Sequence, residues 1–143
     1  MSDPQVSATH SFELRIYFED TDAGGVVYNA NYLKFYERAR TEFLRSLGFE
    51  QDDLLQQNIV FVVRNINVDF IRAARFNELL IVETKINDLK KASLMFNQEI
   101  YSTQSGQSRL VNKALVKVVC VKADAFTPTA IPLDIVEKLN PYL

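Results

Sequence analysis

Between Phe12 and Phe18 apolar and polar side chains alternate, with Phe12, Leu14, Ile16 and Phe18 on one side and Glu13, Arg15 and Tyr17 on the other. A period of two belongs to a strand with one covered face, so a first strand is expected there. The period changes after residue 30. Tyr32, Phe35, Tyr36, Ala39, Phe43 and Leu47 recur mostly at intervals of three and four, which puts them on one face of a helix over about 30–47. Gly48 suits the helix stop, and Asn29 or Asn31 suits the N-cap. A short helical turn is expected at 51–57. Strands then resume at 59–71, 79–88, 93–102 and 108–121, separated by polar breaks at 72–78, 89–91 and 103–107. Pro128 and Pro132 punctuate the tail, and a short terminal helix is expected over 133–139.

One strand, one long helix and then about four strands make an α+β order. No helix alternates with the later strands, so a wound parallel sheet is excluded, and an antiparallel sheet wrapped on the helix is the natural packing. The stretch 110–121 is apolar on both faces, and association with another subunit is expected to bury the outer one. A chain of 143 residues fits a single domain, 1–143.

Composition narrows the function. With 48% hydrophobic and 24% charged residues the chain has the make-up of a folded globular protein. Its formal net charge of −2 supplies no positive field for nucleic acid or an anionic membrane surface. No apolar run approaches the ~18–20 residues that span a bilayer, and the first ten residues lack a signal-peptide pattern, so a cytoplasmic location is expected. The lone Cys120 lies in the apolar run 116–121 and reads as a buried structural thiol. His10, the one histidine, stands in the polar N-terminal lead, which leaves Ser-His-Asp or Cys-His chemistry without its base. One His and one Cys also leave no ligand set for a metal, and no cofactor is expected.

The informative segment is 17–32, Tyr-Phe-Glu-Asp-Thr-Asp-Ala-Gly-Gly-Val-Val-Tyr-Asn-Ala-Asn-Tyr. Its acids and the pair Gly24-Gly25 mark an irregular loop between the first strand and the long helix. Here, and on through 33–42, 61–64, Asp69-Phe70, 116–121 and Leu133, the sequence resembles the 4-hydroxybenzoyl-CoA thioesterase family of hotdog proteins. The resemblance is stronger to the Tol-Pal-associated acyl-CoA thioesterases of the YbgC type, and it covers most of the chain, with the pattern DTDxxGxVYxxxY from Asp20 as its most specific part. It implies a hotdog fold, one long helix wrapped by a five-stranded antiparallel sheet, paired into dimers and commonly tetramers.

The resemblance further implies an acyl-CoA substrate, or an acyl-carrier-protein thioester, with Asp22 as the catalytic carboxylate and the backbone N–H of Asn29 polarising the thioester carbonyl. Elementary chemistry agrees: thioester hydrolysis needs a carboxylate, as nucleophile or as base on water, and donors for the developing oxyanion. Gly24 and Gly25 let the backbone approach substrate, Val26 beside them is a further substrate-binding candidate, and the helix N-terminus points free amides at the same loop. Asp22 could instead be a turn or capping acid, a common role for Asp before a helix. Asp20 reads as a hydrogen-bond acceptor that fixes the loop, and Glu37 as a partner of Lys34, Arg38 or Arg40 in an ion pair. YbgC-type relatives usually carry His where this chain has Asn29. The backbone donor survives that change, and the imidazole does not.

Lys90 and Lys91, in a predicted turn, are candidates for the CoA phosphates, as the basic pair is in benzoyl-CoA relatives, with Arg64, Arg72 and Arg75 as further candidates. Equally, the two lysines could merely solvate an edge turn. Tyr28, Tyr32, Tyr36 and Phe61 are expected to line an acyl pocket or to belong to core and interface. Two rival functions stand beside the hydrolase. One is a non-catalytic acyl-CoA or carrier-protein binding module, suggested by Asn29; the other is a hotdog dehydratase, which the position of His10 disfavours.

Overall fold

The computed structural model describes residues 8–143, so residues 1–7 of the expected domain lie outside the described residues. Five strands, β1 (His10–Arg15), β2 (Ile59–Phe70), β3 (Leu79–Leu89), β4 (Ser93–Ser102) and β5 (Arg109–Lys122), form one antiparallel sheet in the order β1-β3-β4-β5-β2. The sheet curls on α1 (Asn31–Ser46), with α2 (Gln51–Gln56) and α3 (Leu133–Leu139) as short additions. This is the α+β hotdog architecture that the sequence implies.

Amphipathic patterning explains the packing. On α1 the stripe Tyr32, Phe35, Tyr36, Ala39 and Phe43 is buried, and it meets the covered rows of the sheet, including Leu80, Val82, Phe96, Ile100 and Val116. Side chains at i, i+3, i+4 and i+7 share one helix face, whereas those on a strand share a face at every second residue. The core also holds Thr84, Gln98 and Asn112, all fully buried on neighbouring strands. Gln98 Nε2 donates to Thr84 Oγ1 (3.0 Å) and to the Tyr36 carbonyl (3.2 Å), and Arg40 donates to Gln98 Oε1 (3.0 Å). Tyr36 Oη donates to Asn112 Oδ1 at 2.6 Å. Tyr36 therefore works inside the core as a donor, and burial pushes its phenol well above the ordinary range.

The ends of α1 differ in how well the sequence announces them. Gly48, at φ +94°, donates to the Arg45 carbonyl while Phe49 N–H donates to Leu44 O, a Schellman stop that needs the left-handed backbone glycine tolerates. At the other end neither asparagine is the N-cap. Ala30 holds that place without a side-chain bond, and Asn31 is the first helical residue, its amide turned back to Asp20. The first strand also stops earlier than alternation predicts, because Phe18 opens a 3-10 turn (Phe18–Asp20) and is exposed. Glu37 forms no ion pair among the described residues; on α1 it is Arg45 that pairs, with Glu42 and Glu50.

Part of the two-sided apolar character of β5 is met within the chain. Residues 127–129 fold back on the end of β5, with Lys122 N–H to Thr127 O and Thr129 N–H to Cys120 O, both 2.9 Å, so Val119 and Val121 are buried. Cys120 is buried, and desolvation raises its thiol pKa, which fits a structural role. Toward the middle of the strand Leu115 stays exposed between Lys113 and Lys117, as does Val63 on the edge strand β2.

Strand direction divides the molecule into two ends. β1 pairs antiparallel with β3 so that Arg15 faces Leu79, and the same end holds Ser102, Arg109 and Phe70. At the opposite end stand Ile59, Lys122 and the β3–β4 turn, whereas the short β1 begins at His10 opposite Thr84 in the middle of β3.

Candidate active site

The loop after β1 is a closed hairpin. A bridge between Thr21 and Val27 holds its base; Asp22 N–H donates to Val26 O (2.9 Å), and Gly25 N–H to Asp22 O (3.0 Å). Gly25 has φ +77°, which a side-chain-bearing residue adopts only under strain, so the glycine is what lets the hairpin close. Gly24 serves differently. Its N–H donates to Asp22 Oδ1 at 2.8 Å, and a Cβ there would stand 3.3 Å from that oxygen.

Asp20 and Asp22 are thereby distinguished. Asp20 is buried; its Oδ2 accepts from Tyr17 N–H (2.8 Å), its Oδ1 from Asn31 Nδ2 (3.0 Å), and its carbonyl from Tyr28 N–H (2.9 Å). It ties the start of the loop to the start of α1, the fixing role expected of it. Asp22 is exposed, with one carboxylate oxygen in the turn bond to Gly24 and, among the described residues, no hydrogen-bond partner for the other. The turn-acid reading thus describes one oxygen and leaves the second available.

Beside this hairpin a cavity of about 210 Å³ is lined by Val26, Val27, Asn29, Tyr32 and the stretch 70–73. The hairpin is stitched to that stretch through Val27 N–H to Ala74 O (2.8 Å) and a bridge between Val26 and Arg75. Ala74 N–H donates to Tyr32 Oη at 3.2 Å, and burial raises the Tyr32 pKa, keeping the phenol neutral. The backbone N–H of Asn29 bonds no carbonyl among the described residues. It sits two residues before the first residue of α1, where the positive end of the helix dipole favours negative charge.

Of the residues expected in the site, Val26, Asn29 and Tyr32 line this cavity, and Asp22, Gly24 and Gly25 form the hairpin beside it. Tyr28 is exposed on the same loop. Arg64 lies elsewhere: it is the extra residue of a bulge between Val63 and Asn65 in edge strand β2. Lys90 and Lys91 occupy the β3–β4 turn, exposed, at the opposite end of the same chain. Phe61 lines a separate small apolar recess with Leu44, Leu94 and Ile135. Sequence reasoning did not single out Ile71 and Ala73 as cavity residues, since their only signal was adjacency to Phe70 and Arg72. His10 begins β1 at the end remote from the loop, its ring edge-on to Phe43 with centroids 5.6 Å apart. Among the described residues no cluster of His, Cys, Asp or Glu has metal-binding geometry, and no helix is long and apolar enough to cross a membrane.

The pattern of the thioesterase-like superfamily matches residues 16–139. The acyl-CoA thioesterase YbgC of Haemophilus influenzae is 45% identical over 126 residues, which cover 87% of this chain and 90% of that protein. Among solved structures, a probable thioesterase from Bartonella henselae superposes with a TM-score of 0.79 at 36% identity, covering 87% of this chain and all of that one. The 4-hydroxybenzoyl-CoA thioesterase of Pseudomonas sp. strain CBS-3, at 23% identity, shares the fold with a TM-score of 0.84 over 91% of this chain and 98% of its own. A hotdog sheet on one long helix, a DTDxxG hairpin at the helix N-terminus and these relationships lead to one conclusion: this chain belongs to the thioesterase-like superfamily, in the YbgC group of acyl-CoA thioesterases.

Proposed function

We propose that the protein hydrolyses acyl-CoA thioesters with Asp22 as nucleophile or general base. The observation that carries this reading is the free carboxylate oxygen of Asp22 on a rigid hairpin, beside a cavity where the Asn29 N–H is unpaired. With the carbonyl oxygen of the thioester at the Asn29 N–H, the helix dipole stabilises the charge that develops there. Acting as base, Asp22 takes a proton from water as the water oxygen bonds to the carbonyl carbon; the C–S bond then breaks, and the proton passes to the departing thiolate. Acting as nucleophile, its oxygen bonds to the carbonyl carbon as the C–S bond breaks and the thiolate departs; water then cleaves the resulting anhydride, releasing the acid and the Asp22 carboxylate, and the proton given up by water goes to the thiolate. The side chain of Asn29 adds no proton transfer near neutrality.

The test is release of free thiol from a panel of acyl-CoAs of varied chain length. Asp22→Asn is expected to lose at least about two orders of magnitude in turnover, the lower range for a positioned base. Wild-type turnover in a folded Asp22→Asn protein would end the carboxylate mechanism. Binding of acyl-CoA by the wild type without thiol release would favour the binding module that Asn29 suggests.

The substrate groups extend this reading. Lys90, Lys91 and Arg64 are proposed to meet the phosphates of CoA. Lys90 and Lys91 cannot serve the Asp22 hairpin of their own chain from the far end of the sheet, so the proposal requires a second copy. A homodimer or homotetramer, with β2 offering a free sheet edge, supplies it. Light scattering at micromolar concentration is expected to show that assembly, and a persistent monomer would remove the lysines from the site. A cytoplasmic setting follows the nature of the substrate.

A further inference from the structure

Next to the cavity at Asn29 lies a second, of about 310 Å³, sharing Arg72 and Ala73 as its wall. It opens at the same end of the sheet, and its polar lining includes Arg109 at the start of β5, Gln104, Gln107, Ser102 and Glu78. With Arg72, three of the lining side chains are ionic, and Arg72, Arg109 and Glu78 together leave one net positive formal charge.

The pairing of those charges is what gives the cavity meaning. Glu78 is already engaged: its Oε1 accepts from Ser102 Oγ at 3.0 Å, and its Oε2 from the backbone N–H of Arg75. Arg72 and Arg109, although they line the same cavity as that carboxylate, make no ion pair and no side-chain hydrogen bond among the described residues. Two guanidinium groups, each with a planar fork of donors, thus face one polar space without an ion-pair partner among the described residues. A phosphate has enough oxygens to meet both forks at once and more negative charge to set against them than a single carboxylate, which offsets its repulsion from the already hydrogen-bonded Glu78.

The shared wall supplies the geometry. Because Arg72 and Ala73 line both cavities, a thioester whose carbonyl met the Asn29 N–H would have the second cavity beside it for the rest of its arm. We infer that Arg72 and Arg109 form a phosphate subsite for the phosphopantetheine arm, the unit that CoA and acyl carrier proteins have in common. This inference rests on the thioester reading of the first cavity. It differs from the lysine pair in needing no second copy of the chain.

The experiment compares one acyl group on four carriers: CoA, acyl carrier protein, free phosphopantetheine, and N-acetylcysteamine, which ends before any phosphate. For Arg109→Gln, the ratio of kcat/KM for the phosphopantetheine thioester to that for the N-acetylcysteamine thioester is expected to fall about 10-fold or more, as loss of a charge-assisted hydrogen bond implies. Arg72→Gln is expected to lower the same ratio, whatever it does to turnover at the first cavity. CoA and carrier-protein thioesters should lose in parallel with phosphopantetheine, and the relative rates of the wild type on those two tell which source the site serves. An unchanged ratio, or a loss confined to CoA, overturns the assignment, the latter by placing the arginines at the nucleotide. If the wild type hydrolyses none of these thioesters, the function proposed above fails separately. Calorimetric binding of acyl-phosphopantetheine then tests the arginines, with equal affinity in wild type and Arg109→Gln counting against them.

Discussion

Two hairpin turns close opposite ends of the sheet, and they are built for different work. The turn at 22–26 is held by two backbone bonds, a side-chain bond from Asp22 to Gly24, and stitches to Ala74 and Arg75, while buried Asp20 anchors its approach. The turn at 90–92 is held by Lys90 N–H to Ser93 O and by Ile131 N–H to Lys91 O, both 2.8 Å, and its two lysine side chains reach into solvent. A reacting carboxylate must be placed to within a fraction of an ångström, which takes a rigid, over-determined loop. A cation that attracts phosphate through water needs only exposure and charge, because that attraction falls off slowly with distance. On the proposed function, the hairpin makes the precise contact and the lysine turn the diffuse one.

Substitutions can break that contrast, beginning with the largest effect. Asp22→Asn, already expected to cost about 100-fold or more in turnover, should leave the melting temperature nearly unchanged, since Asn still accepts the bond from Gly24. Asp20→Asn should do the reverse in kind: the new amide can accept only one of the two donors Tyr17 N–H and Asn31 Nδ2, and it points N–H groups at the other. Leaving such a buried group unmatched costs about 1–3 kcal/mol, to be read by denaturant unfolding. Equal stability of the two variants would show that Asp20 does not anchor the hairpin.

At the other turn the expected changes are smaller. Replacing Lys90 and Lys91 with Ala is expected to raise KM for acyl-CoA several-fold at low ionic strength and little at high salt, where the Debye length shrinks to about 3 Å near 1 M. Stability should move by no more than about 0.5 kcal/mol. A salt dependence of KM identical to wild type would take these lysines out of substrate binding.

The smallest effect concerns His10, at the start of β1 opposite the middle of β3. Burial lowers its pKa, with nearby Glu42 acting in the opposite direction, so the folded state binds protons less readily than the unfolded chain, whose histidine titrates near 6.5. The stability held above that pH is therefore lost as pH falls through the folded-state value. Thermal melts between pH 7.5 and 5.5 should show a steeper decline for wild type than for His10→Gln. Parallel slopes would mean that the imidazole is not desolvated by Phe43 and its neighbours.

The sequence by itself determined the elements of this protein. A period of two or of 3.6 is a local property, and the β4 and α3 spans, 93–102 and 133–139, were legible to the residue because polar breaks and Pro132 bound them. The irregular loop at 17–32 was likewise legible, since turn, glycines and acids lie within a few positions of one another. Periodicity did not foresee that Phe18 leaves the strand, that Ala30 takes the N-cap in place of either asparagine, or that Tyr36 points its hydroxyl at Asn112. Each of those outcomes is fixed by a partner distant in sequence or by a side-chain bond back along the loop.

Only the tertiary structure decided which cations belong with which cavity. Arg72 and Arg109 are 37 positions apart and carry no common motif, yet antiparallel pairing of β2 with β5 brings the end of one strand to the start of the other. Lys90 and Lys91 form a conspicuous pair in the sequence, and strand direction carries them to the far end. Local patterns specify what a segment becomes because their physics is short-ranged. Where two segments meet is set by register and strand direction, which depend on the packing of the whole sheet against its helix.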